Sequence, residues 1–127
     1  MSSHHSSRII HVMLSTSVVM KLYHWQTHSH ARHIASDRFN EAFSGLMDRF
    51  VETYMGKYGR VQLGRATPDI KAGDTNDDSI EVFLKSFVTF MSNELPTLLK
   101  PTDTDLLNLR DEMVGLVNQT LYLFTLS

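Results

Sequence analysis

Apolar residues recur at every third or fourth position in three segments of this 127-residue chain, and a further segment, residues 8–26, is densely apolar without glycine or proline. This spacing places them on one face of an α-helix, because the helix turns once every 3.6 residues. No segment alternates apolar and polar residues as a half-buried β-strand does. The pattern therefore predicts an all-α domain in which four helices bury their apolar faces against one another.

A glycine-rich stretch divides the predicted helices into two pairs. The predicted helices cover residues 8–26, residues 31–56, the segment from Asp77 or Asp78 to Pro96, and residues 104–124. Four of the six glycines lie between residues 56 and 73, with Pro68 among them, so residues 57–76 are predicted to form an irregular crossover. Two helices, a long crossover and two further helices are the element order of a four-helix bundle, here over residues 8–127.

Composition excludes several classes of protein. The chain has no cysteine, which rules out disulfides, thiolate metal sites and cysteine nucleophiles. Twelve Lys and Arg against fourteen Asp and Glu argue against a nucleic-acid binder, which normally carries a basic stripe. No apolar run approaches the roughly 20 residues needed to span a bilayer, so we expect no membrane association. The Ser-rich residues 1–7 lack signal-peptide features and are predicted to be a flexible leader, which favours a cytoplasmic protein.

One face of the second predicted helix carries four potential metal ligands. At 100° per residue from His33, the side chains of Asp37, Asp48 and Glu52 lie at about 40°, 60° and 100°. The apolar residues of the same helix occupy an arc of roughly 180–320°. The four ligands therefore share a face that lies nearly opposite the predicted core.

A single helix cannot bring these four ligands to one ion, because His33 and Glu52 are about 28 Å apart along its axis. The pairs 33/52 and 37/48 are both symmetric about the midpoint between residues 42 and 43. Two copies crossing antiparallel about a two-fold axis near residues 42–43 would therefore place His33 beside Glu52, and Asp37 beside Asp48, of the other copy. This dimer would hold two identical sites, each with one imidazole and three carboxylates.

Small residues lie near this predicted axis, at Ala42, Ser44 and Gly45, where they would let two helix backbones approach closely. Imidazole and carboxylate ligands suit Fe(II), Mn(II) or Zn(II). The alternative interpretation is an ordinary solvated face, because Asp, Glu and His at this spacing are common on exposed helices.

Several motifs resemble those of the Dps proteins, which are miniature ferritins of the ferritin-like superfamily. The motifs are Lys21-Leu22-Tyr23-His24-Trp25 at the end of the first helix, His33-x3-Asp37 and Asp48-x3-Glu52 on the second. The segment from Thr102 to Phe124 looks like the last helix of that family, so the resemblance covers most of the chain. A second resemblance, carried by His24-Trp25-Gln26-Thr27 and by Val51 to Gly59, is to an uncharacterised ferritin-like family of phages and large DNA viruses.

The Dps resemblance implies a ferritin-like four-helix bundle with a ferroxidase site shared between subunits. The implied ligands are His24, His33 and Asp37 of one chain, with Asp48 and Glu52 of its two-fold mate. Within this set, His33, Asp37 and Glu52 would carry the oxidation of Fe(II) by O2 or peroxide. The implied metal is iron, as a di-iron or mono-iron site, with manganese or zinc as alternatives. The implied assembly is a homo-oligomer built from two-fold dimers, commonly a dodecamer.

The chain departs from the Dps pattern in three respects. The step from His24 to His33 is shorter than in Dps proteins, so His28 or His30 is an alternative ligand to His24. The chain is also shorter than a typical Dps protein and has no Lys-rich tail. The alternative function is therefore a non-enzymatic structural or assembly protein that uses the bundle as an oligomerisation module. For a viral protein, the expected location is the virion or the host cytoplasm.

Overall fold

A computed structural model describes residues 3–127 of the chain, with side chains from residue 5 onward. All regular elements in this range are helical, which confirms the predicted all-α class. The α-helices are α1 (Ser3–Gln26), α2 (His30–Tyr58), α3 (Asp77–Thr89) and α4 (Thr104–Phe124). Between residues 3 and 127, no helix combines the length and the apolar character needed to cross a membrane.

The most extensive helix–helix contacts involve α2. Helix α2 packs against α1 and α4, and α3 contacts the same two helices from the other side. The arrangement is compatible with a four-helix bundle. Large side chains fill its interior, and Tyr23, Phe39, Phe43, Phe50 and Phe124 are each at most 1 % exposed. On the predicted core-facing side of α2, Phe39, Phe43, Phe50 and Tyr54 are buried, whereas Ala42 is exposed.

Helix α1 begins earlier than the sequence pattern indicates. The structure places residues 3–7 of the predicted leader in α1, and residues 1–2 lie outside the described part of the chain. Ser6 is buried, and its Oγ lies 3.3 Å from the backbone oxygen of Gln62. Arg8 donates from Nε and Nη2 to the carboxylate of Glu94, at 2.6 and 3.0 Å. These contacts with distant segments stabilise the first turns of α1. The spacing of apolar residues in the sequence cannot predict such polar contacts.

The connection over residues 59–76 follows α1 along its length. It starts at Gly59, whose φ of +87° lies in the left-handed region that favours glycine. Its side-chain and backbone contacts with α1 occur in the order Ser6–Gln62, His11–Asp69 and Gln26–Asp74. The connection therefore runs from the amino end of α1 to its carboxyl end, and α3 begins where α1 ends.

Helix α3 is shorter than predicted, because its geometry changes before Pro96. The chain continues as a π-helical turn over Phe90–Glu94 and a 3-10 turn over Leu95–Leu98. Proline has no N–H and its ring clashes with the preceding turn, so an α-helix cannot continue through it. Arg110 of α4 donates from Nη1 to the backbone oxygen of Met91 at 3.0 Å, which occupies one carbonyl of the widened turn.

The turn between α1 and α2 spans residues 27–29 and is held by a buried guanidinium. Ser29 caps α2 by accepting a hydrogen bond from the backbone N–H of Arg32 at 3.2 Å. The side chain of Arg32 is 11 % exposed and lies 4.0 Å from Asp77 of α3. It also donates to the hydroxyl of Tyr23 at 3.2 Å. These bonds tie the end of α1 to the beginnings of α2 and α3.

A second polar cluster joins α2 to α4 at the opposite end of the bundle. Asp103 is 4 % exposed and accepts hydrogen bonds from Lys57, from the hydroxyl of Tyr58 and from the backbone N–H of Lys100. Burial raises the pKa of Asp103, but the bonds from Tyr58, Lys100 and Lys57 outweigh it and lower this pKa to about 2. The bond to Asp103 also raises the pKa of Tyr58 to about 12.

Candidate metal centre

The imidazole rings of His24 and His33 face each other across the junction of α1 and α2. Their centroids are 3.9 Å apart and their planes differ by 17°. His24 comes from the last turn of α1 and is 8 % exposed, whereas His33 comes from the first turn of α2. The short turn over residues 27–29 allows this approach, because α1 continues to Gln26 before the chain reverses. The prediction that these two histidines lie together is consistent with this geometry.

Hydrogen bonds to Nδ1 fix the orientation of both rings. Nδ1 of His24 lies 2.9 Å from the backbone oxygen of His33, and Nδ1 of His33 lies 2.8 Å from the backbone oxygen of His24. A carbonyl oxygen only accepts, so each Nδ1 carries the proton that it donates. In the neutral rings, both Nε2 atoms are therefore left with a free lone pair. Histidines that ligate metals are commonly held in this way by backbone carbonyls.

Asp37 lies next to this histidine pair. Its Oδ1 is 3.9 Å from Nε2 of His24, and its side chain is 63 % exposed. Asp37 follows His33 by one helical turn, which places the two side chains on the same side of α2. The structure thus brings together the buried imidazole of His24, the half-buried imidazole of His33 and the exposed carboxylate of Asp37.

Asp48 and Glu52 are not part of this group within one chain. Both are exposed on α2, and Asp48 lies about 16 Å beyond Asp37 along the helix axis. Among residues 3–127, no group of three or more His, Asp or Glu side chains is placed to hold a metal ion by itself. Two imidazoles and a carboxylate are nevertheless a donor set that suits Fe(II), Mn(II) or Zn(II). Within one chain, these three side chains lie near one another without forming a complete metal site.

The alternative ligands His28 and His30 lie in a different environment. Both are exposed at the turn and the start of α2, whereas the place beside His33 is taken by His24. The shorter spacing between His24 and His33 thus does not remove His24 from the group.

Sequence reasoning missed Ser36, which supports the histidine pair. This residue is fully buried, and its Oγ lies 3.1 Å from Nδ1 of His24. The same hydroxyl donates to the backbone oxygen of His33 at 3.1 Å. The available signal was a small polar residue one helical turn after His33, on the side of α2 that faces α1.

The outer surface of α1 and α2 carries exposed apolar side chains near the candidate centre and small residues near the middle of α2. Trp25 is 65 % exposed beside His24, and Ile34 is 41 % exposed beside His33. Ala42 and Gly45 are exposed further along α2, and a Cβ added at Gly45 would meet nothing within 4 Å. In a single chain, Ala42, Ser44 and Gly45 near the predicted two-fold axis are therefore exposed, whereas Phe43 is buried in the core.

Comparison with known proteins gives one match. Residues 24–124 match a family of unknown function, DUF5856. Neither the curated proteins nor the solved structures include a match to the chain. The matched range begins at His24 and includes His33, Asp37, Asp48 and Glu52. Because it covers most of the chain, this protein belongs to the DUF5856 family.

Proposed function

We propose that this protein binds iron and oxidises Fe(II) at a site shared by two copies of the chain, as a Dps-like miniature ferritin. The observation that carries the proposal is the reciprocal fixing of His24 and His33. Both Nε2 lone pairs are left free, and the carboxylate of Asp37 lies 3.9 Å from one of them. Hydrogen bonds to Nδ1 commonly orient the imidazole rings that bind metals, whereas histidines on a solvated helix face do not need them.

In this proposal, the chain supplies one half of each site. His24, His33 and Asp37 would bind the substrate Fe(II) through nitrogen and oxygen, and Glu52 of the second copy would complete the binding. Asp48 of that copy would orient a ligand by hydrogen bonding. The carboxylates would stabilise the higher charge of Fe(III), while the electrons pass to O2 or peroxide. Manganese or zinc could bind the same donors.

The proposed dimer pairs two α2 helices antiparallel about an axis near residues 42–43. The exposure of Asp48 and Glu52, and the absence of bulk at Gly45, support this pairing. The course of residues 59–76 along α1 supports a ferritin-like topology, since a long crossover is what places the second helix pair in such bundles. Association of these dimers into a shell, commonly a dodecamer, is part of the same proposal.

A mixing experiment tests the shared site. One variant carries His33→Ala with Asp37→Asn, and the other carries Asp48→Asn with Glu52→Gln. Each variant alone should fail to accelerate the aerobic oxidation of Fe(II) above buffer, because every site has lost one half. Coexpression in equal amounts should restore about a quarter of the wild-type activity, since half of the dimers then hold one intact site of two.

The matched control for this experiment is Glu112→Gln, which removes an exposed carboxylate from α4. It should oxidise Fe(II) as the wild type does. Coexpressed variants that stay as inactive as each variant alone would contradict the shared site. Full activity in either parent variant would contradict the ligand assignment.

A second candidate is a non-enzymatic assembly protein, such as a viral one, in which the bundle is an oligomerisation module. The exposed apolar side chains of Leu14, Trp25 and Ile34 favour it, because such residues are typical of interface positions. Metal analysis and light scattering distinguish the two candidates. A stable oligomer without stoichiometric transition metal and without oxidation of Fe(II) would favour the assembly protein.

A further inference from the structure

A cavity of about 320 Å³ lies between α1 and the connection that follows α2. Helix α1 contributes Arg8 and His11 to its wall. The connection contributes a tight turn, in which the backbone N–H of Thr67 donates to the oxygen of Gly64 at 3.0 Å. The cavity is separate from the candidate metal centre, because His11 and His24 are about 20 Å apart along α1.

Two polar side chains of the turn, Arg65 and Thr67, have no hydrogen-bond partner in the part of the chain that the structure describes. Arg65 lines the cavity, and its guanidinium forms no hydrogen bond or ion pair within the part of the chain that the structure describes. The Oγ1 atom of Thr67 is buried and also lacks a hydrogen-bond partner there. A buried hydroxyl without a partner costs free energy, which a ligand that hydrogen bonds to it would recover.

The α1 side of the cavity adds further donors in a fixed position. Arg8 uses Nε and Nη2 to bind the carboxylate of Glu94, which leaves the hydrogens of Nη1 available. This ion pair holds the Arg8 guanidinium in place. The ring of His11 lies beside it, with Nε2 at 3.3 Å from the backbone oxygen of Asp69. The cavity wall thus carries two guanidinium groups, and that of Arg65 has no ion-pair partner among the residues that the structure describes.

We propose that this cavity binds the phosphate group of a small molecule, either inorganic phosphate or a phosphomonoester. A phosphate offers several acceptor oxygens in different directions, which matches donors that come from α1 and from the turn. Its negative charge would neutralise Arg65, and one oxygen would accept from the hydroxyl of Thr67. The volume is larger than a phosphate needs and leaves room for a small organic substituent, within the usual range for ligand pockets.

Isothermal titration of the full-length, iron-free protein tests this proposal. The probes are inorganic phosphate, glycerol 3-phosphate and sulfate, in the same buffer. Wild type should bind one of the two phosphates saturably, and that ligand should raise the Tm. Tighter binding of inorganic phosphate would identify the free ion, and tighter binding of glycerol 3-phosphate would identify a phosphomonoester.

Two substitutions in the turn connect the binding to this cavity. Arg65→Gln should weaken binding about tenfold or more, because it removes a charge-assisted hydrogen bond. Thr67→Val should weaken binding about threefold to tenfold, since it keeps the shape and removes the hydroxyl. The control is Arg60→Gln, an exposed arginine of the same connection that does not line the cavity. It should bind as the wild type does.

Three results would overturn the proposal. The first is no saturable binding of either phosphate at millimolar concentration. The second is an equal loss of binding in Arg60→Gln and Arg65→Gln, which would indicate diffuse electrostatic attraction. The third is equal affinity for sulfate and phosphate, which would indicate a site for any small anion. All three are measured without iron, so they do not depend on the proposed ferroxidase function.

Discussion

His24 and His33 each hold the other's imidazole in place, since Nδ1 of each ring lies within 2.9 Å of the other's backbone carbonyl. The two rings stack with their centroids 3.9 Å apart. Because both Nδ1 atoms are engaged, both Nε2 atoms are the free nitrogens. Two residues from different helices thus hold each other in place, so under the proposed metal binding a small change near them should affect metal affinity.

Ser36→Ala should lower metal affinity while leaving the fold intact. The substitution removes the hydroxyl 3.1 Å from Nδ1 of His24, and the loss of such a supporting bond typically weakens metal binding about tenfold. Visible absorption during titration with Co(II) measures the affinity without any turnover. Ser44→Ala, at an exposed position on the same helix, should titrate like the wild type. Equal affinity of all three proteins would show that Ser36 does not position His24.

Gly45→Gln should prevent dimerisation without disturbing the helix. Glutamine favours helix over glycine by about 0.5–1 kcal/mol, and the side chain has open space within one chain. In the proposed dimer, the same side chain would hold the two α2 backbones apart. Gly115→Gln is the matched control, because Gly115 is an exposed glycine in α4 with equally open space.

Sedimentation equilibrium measures the difference between these two glycine variants. We expect Gly45→Gln to weaken association at least about tenfold, and Gly115→Gln to associate as the wild type does. If both variants associate normally, the axis does not lie near residues 42–43.

Asp103→Asn should reduce stability at neutral pH and have less effect in acid. The pKa of Asp103 in the folded protein, about 2, is lower than its ordinary value of 3.8, so folding favours the ionised carboxylate. This stabilisation is present above about pH 4 and is lost as the pH falls toward 2. We expect it to be about 1 kcal/mol, because water screens the partly open ion pair with Lys57.

Urea unfolding at neutral pH and at about pH 2.5 checks the Asp103 prediction. The stability difference between wild type and Asp103→Asn should shrink in acid. Asp111→Asn, which removes an exposed carboxylate paired with its neighbour Arg110, should match the wild type at both values. If the stability difference between wild type and Asp103→Asn stays constant with pH, the effect comes from lost packing and not from the lost charge.

Arg32→Met should destabilise the protein by about 2 kcal/mol, because it leaves Asp77 and the Tyr23 hydroxyl without their buried cation. The Arg32 guanidinium also lies 4.8 Å from the ring centre of Phe124, so the loss extends to the end of α4. Thermal unfolding measures the change, and Arg38→Met at an exposed position of α2 should leave the Tm nearly unaltered. A similar Tm for both variants would show that the network around Arg32 contributes little.

The local pattern of the sequence was enough to predict the four helices, because each carries its own apolar stripe. It failed where distant contacts decide the structure. The first turns of α1 carry contacts of Ser6 with the connection and of Arg8 with the π-helical turn, which local spacing does not reveal. The widened turn after Thr89 depends likewise on Pro96 and on the side chain of Arg110 from α4.

The candidate centre was predictable only in part, for a related reason. Helical phase places His33, Asp37, Asp48 and Glu52 on one face, and this needs no tertiary information. The position of His24 depends on where α1 ends and how sharply the chain turns, which spacing alone does not determine. Helical spacing places Ser36 one turn after His33, but its contact with His24 depends on how α1 packs against α2.

The three-residue turn between α1 and α2 also bears on the order of events during synthesis. Loop closure over so few residues loses little chain entropy, so the two histidines can meet as soon as the first two helices pair. Residues His24 to Asp37 are synthesised before α3 and α4. The group of His24, His33 and Asp37 is thus encoded within the first helix pair, and its formation needs no residue of the second pair.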